Sequence, residues 1–424
     1  MRLAPLALLT LAMPAAAQNA IDTIRPDAPA LAAYGAHPVG VTTLALTDPG
    51  RIDILNVDGE TQPTYDRPLT VEIWYPAAPT VEPGGTYEAV PLRDPSVTVS
   101  LTGRAVRDAE PLSDGRFPLV VISHGYPGNR FLMAHLGENL ASKGYVTVSI
   151  DHTDSTYSDQ AAFGSTLYNR PLDQRFVIEA MAALDGPVGA LVDPARVGVI
   201  GYSMGGYGAL ILGGAGVTQT AVDYDWGTPA GLLGRHLAGS ESHAALPDPR
   251  VKALVAIGPW GRNRDFWDAE GLSGIETPLM ILAGGVDDVS EYPALRRIFE
   301  ETTGTTRHLL TFENANHNAA APMPAPAESY APSDALGFPP FEHYADAVWD
   351  TVRMNNVAQH FATAFLDLHL KGMADRAAYL DLIEVAGEGV VDLAEDGSAT
   401  AAHTYWTGFV PRTAAGLRWE TLGE

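Results

Sequence analysis

The chain has 424 residues, of which 46% are hydrophobic and 18% are charged, so it carries enough apolar side chains to bury a core. Its formal net charge of −25 disfavours nucleic-acid phosphates and anionic lipid headgroups as partners. It has no cysteine, which excludes disulfides, thiolate–zinc sites and a cysteine nucleophile.

The first 17 residues have the pattern of a signal peptide. A basic start precedes the apolar run 3–13, and three alanines at 15–17 supply the small residues of a signal-peptidase site. An apolar run of about 11 residues is too short for a hydrocarbon core that requires about 20. We therefore expect an exported protein, periplasmic or secreted, that begins near Gln18 and carries a formal charge of −26 once Arg2 is removed. No later run predicts a membrane span.

Short apolar runs alternate with amphipathic stretches along the rest of the chain. The predicted strands are 71–75, 118–123, 145–150, 196–200, 251–257, 278–283 and 307–312. The predicted helices are 130–143, 173–184, 204–212, 292–302 and 343–371. This alternation predicts one doubly wound α/β domain over 67–371, with a mostly parallel sheet covered by helices on both faces.

Four segments exceed a minimal domain of this kind. We interpret 18–66 as an N-terminal extension and 372–424 as a C-terminal extension packed on the domain. The insertions 214–249 and 318–342 are longer than ordinary connections, and we expect them to form a lid or rim. Asp223 and Asp225 in the first insertion have incomplete spacing for a calcium site, so we interpret them as a solvated loop and predict no metal site.

The strongest chemical motif is Gly201-Tyr202-Ser203-Met204-Gly205, which lies between a predicted strand and a predicted helix. In that position G-x-S-x-G resembles the nucleophile elbow of the α/β-hydrolases. Glycine at both flanking positions removes Cβ atoms that would collide in a tight turn. The motif therefore predicts Ser203 as a nucleophile above the carboxyl ends of the strands.

A serine nucleophile needs a base and an acid that orients the base. The predicted strand 278–283 leads to the adjacent carboxylates Asp287 and Asp288, of which we favour Asp287 as the acid while Asp288 remains an alternative. The next strand leads to His317 in a polar loop. The order serine, acid, histidine is that of the α/β-hydrolases, so we predict His317 as the base.

Acyl transfer also needs hydrogen-bond donors for the oxyanion. One predicted donor is the backbone N–H of Met204, the residue after the nucleophile. The loop after strand 118–123 reads His124-Gly125-Tyr126-Pro127-Gly128, in which Tyr126 has an N–H to offer and Pro127 has none. We therefore predict Tyr126 as the second donor.

Four segments carry a family resemblance. The segments 69–76 (LTVEIWYP), 117–130 (FPLVVISHGYPGNR), 169–173 (NRPLD) and 194–206 (PARVGVIGYSMGG) resemble the predicted dienelactone hydrolase and platelet-activating-factor acetylhydrolase-like branch of the α/β-hydrolases. The resemblance implies the α/β-hydrolase fold from about residue 39 to residue 371, and 406–417 is similar to the tail of the same branch. Dienelactone hydrolases use a cysteine nucleophile, where this chain has Ser203.

The elbow, the Ser-His-Gly loop and Pro259-Trp260 also resemble bacterial cutinases and poly(ethylene terephthalate) (PET) hydrolases. That resemblance implies that Tyr126 and Met204 form the oxyanion hole and that Trp260 lines the acyl subsite. An aromatic side chain just past a strand end can also pack against a flat acyl group.

We therefore expect a serine carboxylic ester hydrolase that acts through an acyl-enzyme on a small or aromatic ester and requires no cofactor. One alternative is a polyester hydrolase, and another is an amidase or peptidase of the same fold. An inactive binding module is disfavoured because nucleophile, acid, base and oxyanion loop are all present in the sequence.

Overall fold

The computed structural model describes residues 19–59 and 61–423. The predicted signal peptide, 1–17, lies outside the described residues. Among the described helices, none is long and apolar enough to cross a membrane.

Ten of the twelve strands in the described chain form one sheet, and the other two, β3 and β4, form a separate hairpin. The sheet order is β12-β11-β10-β9-β8-β6-β7-β2-β1-β5. The strands are β1 (Val39–Ile52), β2 (Thr64–Pro76), β3 (Gly85–Pro91), β4 (Thr98–Gly103), β5 (Val106–Arg107), β6 (Phe117–Ser123), β7 (Val146–Asp151), β8 (Val192–Tyr202), β9 (Val251–Ile257), β10 (Leu279–Gly284), β11 (Arg307–Phe312) and β12 (Leu417–Leu422).

The six central strands, from β7 to β11, are parallel to one another. On one side β2 pairs antiparallel with β7 and with β1, and on the other side β12 pairs antiparallel with β11. The short β5 pairs parallel with β1 at the edge. Nearly every residue of the parallel strands is buried, as expected for strands that are covered on both faces. The predicted doubly wound, mostly parallel sheet is confirmed.

Helices cover both faces of the sheet. They are α1 (Ala134–Ser142), α2 (Phe163–Ala182), α3 (Gly186–Ala190), α4 (Met204–Leu212), α5 (Gln219–Val222), α6 (Glu241–Ala244), α7 (Ala269–Ser273), α8 (Tyr292–Glu301) and α9 (Thr351–Lys371). Alternate side chains of β6 enter different cores: Val120 and Ile122 pack with α1 and α9, whereas Leu119 and Val121 pack with α2, α4 and α8. This alternation follows from the two-residue period of a strand.

The sheet extends beyond the predicted domain bounds of 67 and 371. β1 lies in the segment predicted as an N-terminal extension, and β12 lies in the predicted C-terminal extension. β1 has the alternating burial of a strand with one solvated face, and both strands are more polar than the central ones. Sequence reasoning based on continuous apolar runs therefore did not identify them.

Two helix starts also differ from the prediction. α2 begins at Phe163 rather than near 173, because its first half buries polar side chains and contains Pro171, which removes the apolar period. α9 begins at Thr351 rather than 343, where the Asp350 side chain accepts a hydrogen bond from the Arg353 N–H at 2.8 Å and caps the helix. The other predicted helices that carry the site, 204–212 among them, are confirmed.

Candidate active site

Ser203 lies between the last residue of β8 and the first residue of α4, in a strained backbone conformation with φ of 52° and ψ of −112°. A Cβ atom on Gly201 would lie 2.2 Å from the Gly205 carbonyl oxygen, and one on Gly205 would lie 1.9 Å from the Ser123 carbonyl oxygen. Only glycine fits at these two positions, so the sequence G-x-S-x-G is what permits the turn.

Asp287 follows β10 and His317 follows β11, and their side chains meet. The Nδ1 atom of His317 lies 2.8 Å from Oδ2 of Asp287. The other carboxylate oxygen accepts the N–H groups of Ser290, at 2.7 Å, and Val289, at 2.9 Å. Burial raises the pKa of Asp287, but the His317 ring and these two N–H groups outweigh it and hold the pKa below its ordinary value. Asp287 therefore stays ionised, whereas Asp288 is exposed.

The ring of His317 is held from two sides. Its centroid lies 5.2 Å from that of Tyr202, whose hydroxyl donates to Oδ1 of Asn318 at 3.1 Å. On the other side, a Cβ atom on Gly258 would lie 3.2 Å from the ring, so this glycine makes room for the histidine. These contacts fix the ring in the orientation that the Asp287 hydrogen bond requires.

Ser203 and His317 line the same cavity, of about 550 Å³. Within residues 19–59 and 61–423, no hydrogen bond joins the Ser203 hydroxyl to the His317 ring. Hydrogen bonds between nucleophile and base are often long in the absence of substrate and shorten in the substrate complex. The cavity also takes Phe338, Phe341 and Glu342 from the end of the second insertion, and His343 from the segment that follows it. The first insertion, 214–249, supplies none of the described lining residues.

The loop after β6 lies against the elbow, since a Cβ atom on Gly125 would lie 3.3 Å from Cβ of Ser203. The hydroxyl of Tyr126 donates to the Ala161 carbonyl at 2.7 Å, which fixes the side chain away from its own backbone N–H. Neither the N–H of Tyr126 nor that of Met204 donates to an acceptor among the described residues. Both groups are therefore available to a substrate oxygen beside Ser203.

Trp260 follows β9, and its backbone N–H donates to the Ser203 backbone carbonyl at 3.3 Å. Its ring packs edge-on against Phe163, with centroids 5.3 Å apart, and against Phe266, at 5.2 Å. The ring is half-buried in this aromatic group and is not among the residues that line the cavity of Ser203 and His317. The structure therefore places Trp260 next to the nucleophile's backbone but not in that cavity.

Sequence reasoning did not identify a buried polar network behind the loop. Asp173 accepts from Nε of Arg67 at 2.9 Å and lies 3.0 Å from Nδ1 of His152, whose Nε2 is 2.8 Å from the Ser123 hydroxyl. This is a second Ser-His-Asp arrangement, but Ser123 is fully buried and no substrate can reach it. Burial lowers the pKa of His152 to about 3, so the ring is neutral.

Arg170, three residues before Asp173 in α2, holds the loop. Its guanidinium donates to the carbonyl oxygens of His124 and Gly125, the two residues before Tyr126, and to the Ser155 hydroxyl. Arg170 and Asp173 both belong to the segment NRPLD at 169–173. The resemblance of this segment to other hydrolases is the sequence signal that could have indicated the network.

Within the described residues, no group of three or more histidine or acidic side chains is arranged to hold a metal ion.

Comparisons with known proteins agree with this geometry. A family model described as PET hydrolase-like matches residues 110–228. Cutinase 2 of Thermobifida cellulosilytica is 26% identical over 211 residues, which are 49% of this chain and 63% of that protein. The bis(hydroxyethyl) terephthalate hydrolase of Streptomyces coelicolor is 26% identical over 212 residues, 48% of this chain and 52% of that protein. The chain thus spans between half and two thirds of the length of these relatives.

A ferulic acid esterase from Streptomyces cinnamoneus has a similar solved structure. The two share 25% sequence identity with a TM-score of 0.56, and the match covers 84% of this chain and 94% of that one. The structural similarity therefore extends over most of the chain and is not confined to the elbow.

Proposed function

Since the chain has the α/β-hydrolase fold with cutinase- and PET hydrolase-like features, we propose that it is a serine carboxylic ester hydrolase. The observation that supports this most is the position of Ser203, on a strained elbow and in the same cavity as the His317–Asp287 pair. Ser203, Asp287 and His317 follow the carboxyl ends of β8, β10 and β11, three parallel strands of one sheet, so the sheet itself holds them at the same edge.

In the acylation step, Ser203 Oγ attacks the ester carbonyl carbon and His317 Nε2 takes the hydroxyl proton. The ionised Asp287 holds the imidazole in the tautomer with a proton on Nδ1 and stabilises the imidazolium that forms. The backbone N–H groups of Tyr126 and Met204 donate hydrogen bonds to the negatively charged oxygen of the tetrahedral intermediate. The imidazolium then gives its proton to the departing alcohol.

In the deacylation step, a water molecule gives a proton to His317 and attacks the acyl-enzyme. The bond to Ser203 breaks, the serine recovers its proton, and the free acid leaves. One water is consumed for each ester, and the acid and alcohol account for all atoms. No cofactor takes part in these steps.

A small or aromatic ester is the substrate class that we favour over a polymer. The segment 338–347 forms one wall of the cavity beside His317, which limits the room for a chain that continues past the scissile bond. A volume of about 550 Å³ is within the range of small-molecule sites. The polyester hydrolase named among the relatives, and an amidase or peptidase, remain the alternatives to test with matched substrates.

The test compares Ser203→Ala with the wild type on 4-nitrophenyl butyrate and on the matching 4-nitroanilide. We expect the variant to lose at least about 10⁴-fold in kcat, because the covalent route is removed. Ser398→Ala, an exposed serine, is the control and should retain wild-type activity. A fluorophosphonate should label the wild type once and leave the Ser203→Ala variant unlabelled. Equal ester rates in the two proteins would disprove the proposal.

We also propose that the protein is exported after cleavage near Ala17. The basic start, the apolar run 3–13 and the three alanines support this proposal. The intact mass measured in the labelling experiment tests it at the same time, since cleavage gives a chain that begins near Gln18. A cell-associated protein that retains Met1 or Arg2 would contradict it.

A further inference from the structure

The cavity beside Ser203 holds one basic side chain that has no protein partner. Arg93, in the turn between β3 and β4, is the only lysine or arginine among the described residues that line this cavity. Its backbone N–H donates to the Tyr344 hydroxyl at 3.1 Å, which fixes the residue at the cavity wall. Its guanidinium forms no hydrogen bond or ion pair with any residue of 19–59 or 61–423.

Within the part of the chain that the structure describes, Arg93 has no carboxylate partner, although the chain is acidic, with 51 aspartate and glutamate residues against 26 lysine and arginine residues. Three other buried or half-buried arginines of this protein are paired with carboxylates: Arg67 with Asp173, Arg130 with Asp151, and Arg262 with Glu301. Arg93 is half-buried as well, so part of its hydration is lost without compensation by the protein. A ligand that enters the cavity can supply the missing acceptor.

A second polar group in the same wall also has no partner. Nε2 of His343 is buried and makes no hydrogen bond to the described residues. Burial, and next the charge of the nearby Arg93, lower the pKa of His343 to about 3, so this ring stays neutral. Arg93 and His343 thus lie together, as a cation beside a neutral imidazole, in the cavity that holds the nucleophile.

We propose that Arg93 is an anion subsite that selects esters carrying a carboxylate, such as the monoester of a dicarboxylic acid. This subsite would define the substrate class of the proposed ester hydrolase, and the inference rests on that proposed function. The planar guanidinium can take both carboxylate oxygens in a bidentate pair. Phe338 and Phe341 supply aromatic surface to the same cavity, which suits an aromatic acid between the carboxylate and the scissile ester.

The cavity's other charges favour a carboxylate over a phosphate. Asp288 and Glu342 line the cavity from exposed positions, where water screens them. Asp346 is occupied by the N–H groups of Asn316, at 2.6 Å, and Trp349, at 2.7 Å. A ligand with one carboxylate is repelled only weakly by the screened Asp288 and Glu342 and can bind Arg93. A phosphate dianion carries two negative charges, so the same two side chains repel it twice as strongly.

Two substrates of nearly equal shape test this: monomethyl terephthalate, which is an anion, and methyl 4-carbamoylbenzoate, which is neutral. We expect the wild type to prefer the anion by about 10- to 100-fold in kcat/KM, mainly through a lower KM. Arg93→Gln should remove the preference while its rate on the neutral ester stays within about twofold of wild type. Arg93→Lys should keep part of the preference, because the charge remains and the bidentate geometry does not.

The matched control is Arg116→Gln, which removes one exposed positive charge just before β6, at the opposite end of the strands from Ser203. It should leave the preference unchanged. Calorimetric titration of monomethyl terephthalate into Ser203→Ala, with and without Arg93→Gln, measures the subsite without turnover. Binding that is lost only in the double variant supports the proposal.

Two results would overturn the proposal. One is a wild-type enzyme that hydrolyses the neutral ester as well as the anion, and the other is an Arg93→Gln variant that loses both substrates equally while its melting temperature is unchanged. Hydrolysis of neither ester by the wild type, with no fluorophosphonate label, would instead contradict the proposed function. The two failures are therefore distinguishable.

Discussion

Asp287 and Asp288 are neighbours in the chain with opposite surroundings. The Asp287 carboxylate is buried and accepts from His317 and from two backbone N–H groups, so the chain turns tightly around it. The next residue, Asp288, points to the exposed rim of the cavity. Sequence alone favoured the first of the two, and the hydrogen bond between Asp287 and His317 supports that prediction.

We predict that Asp287→Asn lowers kcat by about 10⁴-fold, because an amide no longer holds the imidazole in the required tautomer. The isosteric change Asp288→Asn should leave kcat within about twofold. Steady-state hydrolysis of 4-nitrophenyl butyrate at pH 7.5 measures both. A large loss in Asp288→Asn with a mild effect of Asp287→Asn would reverse the assignment.

At the scale of the element, α2 holds two parts of the candidate site. Arg170 donates to the carbonyl groups of His124 and Gly125, just before the proposed oxyanion donor Tyr126. One turn later, Gln174 donates to the Gly205 carbonyl of the elbow at 2.9 Å. A helix whose polar residues face inward thus connects the two loops that must stay in register.

We predict that Arg170→Met lowers kcat by about 10²-fold with little change in KM. The Tyr126 N–H is still present in this variant, but the loop that carries it is no longer held in place. Arg175→Met removes an arginine from the same helix, where it contacts Glu179 and the Leu246 carbonyl, and is the control. Arg170 acts here as a positioning residue. A rise in KM at constant kcat would show that it holds substrate and not the loop.

At the scale of the molecule, the central sheet was predictable and its edges were not. β9 and β11 match their predicted bounds because both of their faces are buried, which leaves an uninterrupted apolar run. In β1, buried and exposed residues alternate, and β12 has only six residues, so neither strand forms a continuous apolar run. The first half of α2 buries polar side chains, so its sequence shows no clear helical period of apolar residues.

The same limit applies to the candidate site. Ser203, Asp287 and His317 were predicted because each follows a predicted strand, and parallel strands end at one edge of the sheet. Arg93 and Arg170 were not, because their importance depends on contacts with residues far away in the chain. Local sequence patterns do not indicate which distant carbonyl group a side chain contacts or which cavity it lines.

The buried Asp173 network should dominate the acid stability of the whole domain. Burial raises the pKa of Asp173, but the charges of Arg67 and Arg51 and the His152 hydrogen bond hold it well below its ordinary value. A lowered pKa stabilises the fold at pH values above the ordinary aspartate value of about 3.9, and this contribution is lost as the pH falls below it.

We therefore predict that Asp173→Asn lowers the free energy of unfolding by about 3–5 kcal/mol at pH 7, since Arg67 and Arg51 each lose a buried carboxylate partner. The difference from wild type should shrink below about pH 4, by about 1.4 kcal/mol per pH unit. Urea unfolding at pH 7, 5 and 3.5 measures it, with the exposed Asp334→Asn as control. A difference that is constant over this range would contradict the assignment.

β12 completes one edge of the sheet. Its residues pair with all of β11, the strand that leads to His317. A fragment cut after α9 would uncover the backbone N–H and C=O groups along that strand, and such bare strands attract other chains. Affinity handles and fusion partners are therefore better joined on the amino-terminal side of the domain, and shortened versions for crystallisation should keep the stretch through Leu422.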